Sequence, residues 1–173
     1  MKYQLDQAIE ILERTPVVLE NLLANLSADW ITATEGGETW SPYDVVGHLI
    51  HGERTDWPER IQKIVDPQQD NHFRPFDRFA QFQESQGKSL QQLLDEFAQL
   101  REKNLTMLRE LHLNENDLDK TGIHPAFGEV TLRQLLSTWT THDLNHLAQI
   151  ARVLAKQYSE EVGPWKQYLR ILN

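Results

Sequence analysis

The sequence predicts an all-α protein, a four-helix bundle, and three observations predict it. Apolar residues return every three or four positions over four long stretches, which is the period of one helix face. Helix-opening signals precede three of them: Ser41-Pro42, Ser89 with Gln92, and Thr131 with Gln134. No stretch alternates apolar and polar residues convincingly as a half-buried strand would, and no repeat stands out. A chain of 173 residues fits one domain, residues 1–173, and is long enough to bury a substantial core.

The first helix is expected from about Tyr3 to Leu26, with Leu5, Ile9, Leu12, Leu19 and Leu22 on its inner face. Pro16 should kink it, because proline cannot donate to the carbonyl of residue 12. The second helix opens at Ser41-Pro42 and buries Val45, Val46, Leu49, Trp57 and Ile61, with a bend at Pro58 in its second half. Between Asp66 and Lys88 the chain is polar and reads as a long loop, with a short helical turn around Phe76 to Phe82 held by its three phenylalanines. Ser89 caps a third helix that runs through Leu93, Phe97, Leu105 and Leu108. A loop with Gly122, Pro125 and Gly128 leads to Thr131, where the fourth helix begins and continues to about Tyr158. Beyond Gly163-Pro164 a short C-terminal helix, Trp165 to Leu172, is expected to pack back on the bundle.

Composition removes several functions. With 17 basic and 26 acidic residues the net charge is −9, a field that repels nucleic-acid phosphates. There is no cysteine, so disulfides, thiolate metal sites and a cysteine nucleophile are excluded, and any thiol must arrive with a cosubstrate. The N-terminus lacks the apolar core of a signal peptide, and no apolar run approaches the roughly 20 residues that span a bilayer. The expectation is a cytoplasmic protein with no membrane partner.

The fourth helix carries the most informative feature. Its inward line runs Leu132, Leu135, Trp139, His142, His146, Ile150 and Val153, so two histidines one turn apart replace core residues. Imidazole is the commonest protein metal ligand, and several buried polar groups together call for a shared partner. A metal ion or a polar ligand cavity is that partner. A catalytic zinc-type site commonly uses three protein ligands. Candidates for the third are His48, His51, His124, Asp143, Glu53, Glu160 and Glu161. His48 is preferred, because it lies near the buried line of the second helix while His51 sits nearer the polar edge and His124 lies in a loop. Asp143 is expected to orient a neighbouring side chain, Glu53 to be solvated or ion-paired, and Trp57 and Trp139 to be core aromatics. Gln149 either bonds to a ligand or settles the helix interface.

Two segments, Ser-Pro-Tyr-Asp-Val-Val-Gly-His48-Leu and His142-Asp-Leu-Asn-His146-Leu-Ala-Gln-Ile, resemble the signature segments of the DinB-like superfamily. The likeness extends over nearly the whole chain, through the Trp40-Ser41-Pro42 entry, the Arg101 region and the closing Val-Gly-Pro-Trp. It implies a four-helix bundle in which His48, His142 and His146 bind a divalent metal. Three imidazoles suit zinc, nickel, copper or iron, with zinc and nickel the leading expectations. The resemblance further implies a metal-dependent hydrolase or a small-thiol S-transferase acting on a small molecule, and a homodimer as the assembly. A non-catalytic metal- or ligand-binding stress-response protein is the alternative.

Overall fold

The computed structural model describes residues 2–173. Its first helix, α1 (Leu5–Leu23), contains Pro16 without ending there. A single turn, α2 (Ala28–Ile31), follows, and then α3 (Pro42–Thr55). The start of α3 is fixed by a reciprocal cap: Ser41 Oγ accepts from the Asp44 amide and Asp44 Oδ2 accepts from the Ser41 amide. The helix breaks at Asp56, and α4 (Trp57–Val65) resumes with Pro58 in its first turn, where a missing amide hydrogen costs nothing. The expected bend is therefore a break that lies two residues before the proline.

The long loop contains α5 (Ala80–Glu84). This turn is not seated by phenylalanines, since Phe79 and Phe82 are exposed. It is held instead by buried Gln81 and by Ser85, which packs on Gly47 of α3 so closely that a Cβ at Gly47 would overlap Ser85 Oγ. Then come α6 (Leu90–Glu110), capped by Ser89 and Gln92, and a hairpin that the sequence did not reveal. Strands β1 (Thr121–His124) and β2 (Gly128–Thr131) pair antiparallel, with His124 opposite Gly128. Four residues per strand are too few to show a two-residue period. The last long helix, α7 (Leu132–Lys156), begins at the Thr131–Gln134 cap. The C-terminus forms two 3-10 turns, of which Leu172 is buried while Trp165 and Tyr168 stay exposed.

The four bundle members are α1, the α3–α4 pair, α6 and α7. α1 packs on α6 and α7, and α3 packs on the same two, so the order around the bundle is α1, α6, α3, α7. Long connections permit this: residues 24–41 carry the chain from α1 to its diagonal partner, and the hairpin segment does the same from α6 to α7.

The interior divides into two apolar clusters. Ile9, Leu12, Trp57, Leu105, Leu136 and Trp139 belong to one; Leu19, Val46, Leu49, Phe97 and Ile150 belong to the other. Between them each of three helices contributes a charged residue at core register: Glu53, Arg101 and Asp143, all 0–1% exposed. Arg101 Nη1 and Nη2 donate to Asp143 Oδ2 and Oδ1 at 2.6 and 3.0 Å, and Nη2 also donates to Glu53 Oε1 at 2.9 Å. Trp139 Nε1 donates to the same Glu53 oxygen at 2.9 Å, and Asn104 Nδ2 to the other at 2.9 Å. Burial alone would lower the pKa of Arg101, but the charges of Glu53 and Asp143 more than reverse that.

Arg101 Nη1 also donates to the carbonyl of Leu12, at 2.7 Å. That carbonyl is the one left without its helical donor by Pro16, four residues on. The proline in α1 and the arginine in α6 are thus two parts of one arrangement.

Candidate metal centre

His48 reaches the site from α3, and His142 and His146 from α7, one turn apart. The three side chains converge at their Nε2 atoms: His142 Nε2 lies 3.1 Å from His48 Nε2 and 3.1 Å from His146 Nε2. Among the described residues this is the one cluster of three potential ligand groups. Nitrogens bound about 2.1 Å from a shared ion at angles between square and tetrahedral stand roughly 3.0–3.4 Å apart, so the observed spacing fits one cation.

Proton positions support the same conclusion. His146 Nδ1 lies 2.8 Å from Gln149 Oε1, which accepts its hydrogen and leaves the Nε2 lone pair facing inward. Gln149 thus bonds to a histidine of the cluster, a contact that favours the tautomer with its proton on Nδ1. Burial pushes His48 and His142 down to about 3, with the neighbouring histidine charge as a second cause, and burial lowers His146 as well. All three rings are neutral near pH 7, the form that ligates a metal. With a proton on His48 Nε2 that contact would be satisfied, but the lone pairs of His142 and His146 would still oppose each other. Nδ1 of His48 and of His142 is buried with no protein partner. Convergent lone pairs without protons are repulsive, and a divalent cation resolves the repulsion.

The surroundings are aromatic. Trp40 stacks on His146, Phe76 meets the edge of His48, and Trp57 the edge of His142. Gly52 makes room for the Trp57 indole, whose nitrogen would lie 3.1 Å from a Cβ at that position. Beside the histidines opens a cavity of about 460 Å³, within the range of small-molecule sites. Asp56 and Arg60 form part of its wall and are paired at 2.7 Å. Burial pushes the Asp56 carboxyl up to about 6, although Arg60 pulls the other way.

The other candidates for the third ligand lie elsewhere. His51 is not at a polar edge: it is buried, with Nδ1 3.1 Å from both oxygens of Glu84. His124 does reach the cavity rim, but its Nδ1 accepts from the Ala126 and Phe127 amides and so shapes the hairpin. Asp143 and Glu53 are committed to Arg101, and Glu160 and Glu161 are exposed beyond the end of α7. Arg101 entered only through the family resemblance, and of the two places expected for Glu53, solvated or ion-paired, the ion pair is the one that forms, in the core. Their signal was present: Phe97, Arg101 and Leu105 run in steps of four, as do Leu49, Glu53 and Trp57, while Trp139, Asp143, His146 and Ile150 run in steps of four, three and four.

The sequence pattern of the DinB superfamily matches residues 11–150, a stretch that contains all three histidines. No curated protein matches the chain. Among solved structures it resembles YfiT from Bacillus subtilis, described as a probable metal-dependent hydrolase with an unusual four-helix bundle topology. That likeness has 21% identity and a TM-score of 0.76, covering 94% of this chain and 90% of that one. It also resembles TT2238, described as a four-helix bundle protein, at 20% identity and a TM-score of 0.61, covering 86% of this chain and 98% of that one. At such identities the likeness is one of fold.

Proposed function

This chain belongs to the DinB superfamily, and on that premise we propose that it is a metal-dependent enzyme in which His48, His142 and His146 hold a divalent ion. The observation that carries the proposal is the meeting of three neutral Nε2 atoms at 3.1 Å spacing beside a cavity of small-molecule size. The description of YfiT as a probable metal-dependent hydrolase supports the same reading. Of the ions that three imidazoles suit, zinc and nickel are the ones proposed here. Such an ion supplies Lewis acidity and lowers the pKa of a water or thiol presented to it, which makes a nucleophile near neutral pH. Hydrolysis and thiol transfer both draw on that chemistry, and a thiol would come with the substrate because the chain has no cysteine.

The protein's own groups do the rest. The aromatic walls exclude water from one side of the site, which strengthens its electrostatics. Asp56, held up to about 6, is a carboxylate in the cavity wall that can take a proton near neutrality, a property that a storage or sensing site does not need.

Protein purified without a histidine tag should contain about one equivalent of metal by elemental analysis, lost in His48→Ala and in His142→Ala. The loaded protein should then turn over substrates in an ester-hydrolysis and thiol-transfer panel. Asp56→Asn should lower kcat by roughly 10²–10⁴-fold and remove the rising limb of the rate profile near pH 6. Stoichiometric metal with no turnover in either class would favour the binding-protein alternative. No metal under any loading condition would reject both.

A further inference from the structure

We infer that the cavity beside the three histidines has a second subsite, built on Arg78, that takes the carboxylate of a small organic acid. This deepens the enzymatic reading above and rests on it for the identity of the site. The chain as a whole is strongly acidic, with a net charge of −9. Its cavity is not. The charged residues of the wall are Asp56, Arg60 and Arg78, and Asp56 and Arg60 neutralise one another. Arg78 has no acidic partner among the described residues, and it is solvent-accessible in the cavity mouth.

Arg78 is also close enough to the metal ligands to matter. Its charge helps to keep His48 neutral, after burial and the neighbouring histidines. A guanidinium presents a planar fork of donors that matches a carboxylate through two parallel hydrogen bonds. The same wall has apolar parts: Phe76 borders the cavity, and Phe127, 78% exposed, projects at the tip of the hairpin. Phe127 is stacked on His124, which holds the ring over the opening. A large exposed ring fixed at a cavity mouth is a contact surface for the body of a ligand. A ligand that fits has a donor atom at one end for the metal, a short apolar body, and a carboxylate at the other.

Two thiols that differ in one group test the subsite. Cobalt(II)-loaded protein should report their binding through thiolate-to-metal charge-transfer absorption, with 3-mercaptopropionate compared against 2-mercaptoethanol. At low ionic strength the wild type should hold the carboxylate thiol about tenfold more tightly. Arg78→Ala should abolish that preference while leaving 2-mercaptoethanol affinity within about twofold, and Arg78→Lys should keep part of it. Arg14→Ala removes an equal charge from α1, which does not line the cavity, and should change neither affinity. Equal affinity of the two thiols for the wild type, or a preference that survives Arg78→Ala, overturns the inference.

A second readout needs no metal. Trp40 and Trp57 border the cavity, so their fluorescence should respond to propionate more than to 1-propanol in the metal-free wild type, and equally to both in Arg78→Ala. If the protein takes up no cobalt, the metal reading fails by itself, and the fluorescence comparison still decides the carboxylate subsite.

Discussion

Arg101 ties its own helix to the three others from the centre of the bundle, and its removal should be felt more strongly than that of any surface ion pair. Arg101→Met leaves two buried carboxylates facing each other and should cost about 3–5 kcal/mol in urea unfolding of the metal-free protein. The histidines act on stability through pH. Their folded pKa values lie below the ordinary 6.5, with His48 and His142 at about 3, so the unfolded chain takes up protons first. The stability linked to their neutral form is complete above pH 6.5 and is lost as pH falls from there towards 3. The unfolding midpoint of the metal-free protein should follow that course, and His142→Gln should show a shallower fall. The three histidines were legible in the sequence because two of them interrupt an apolar line. The charged trio was harder to see, since Glu, Arg and Asp are almost never fully buried alone and their partners come from distant parts of the chain.

Helices were the most legible elements, because their signals are local. The caps at Ser41, Ser89 and Thr131 all formed, and each sets the register of the helix it opens. Ser41→Ala should therefore cost about 1 kcal/mol and loosen the helix that carries His48. The seat of α5 was not legible, because it depends on a glycine whose partner lies in a segment without periodicity. Gly47→Ala places a methyl group against Ser85 and should destabilise the protein by about 1–3 kcal/mol. Amide exchange would show the effect as lost protection in residues 80–85, ahead of the rest of the fold. The hairpin escaped for a different reason: its position is set by pairing with residues 71–73, where Ile123 exchanges backbone bonds with Asn71 and Phe73.

At the scale of the whole molecule, the three-histidine cluster joins α3 to α7, two neighbours whose connecting chain runs through α4, α5, α6 and the hairpin. A ligand that binds only the folded state stabilises it by mass action. Zinc at 100 times its dissociation constant should add about 2.7 kcal/mol and raise Tm by several degrees, which calorimetry with and without chelator would measure. The same long-distance logic applies to Pro16. Replacing a proline inside a helix by alanine is ordinarily worth about 3 kcal/mol, yet here the new amide would compete with Arg101 for the Leu12 carbonyl. The gain should fall short of that figure and recover when Arg101→Met is added, a coupling that a double-mutant cycle reads directly. The imino acid thus behaves as a socket: by withholding one hydrogen from its own helix, it lets a cation rooted in another plug into the ladder.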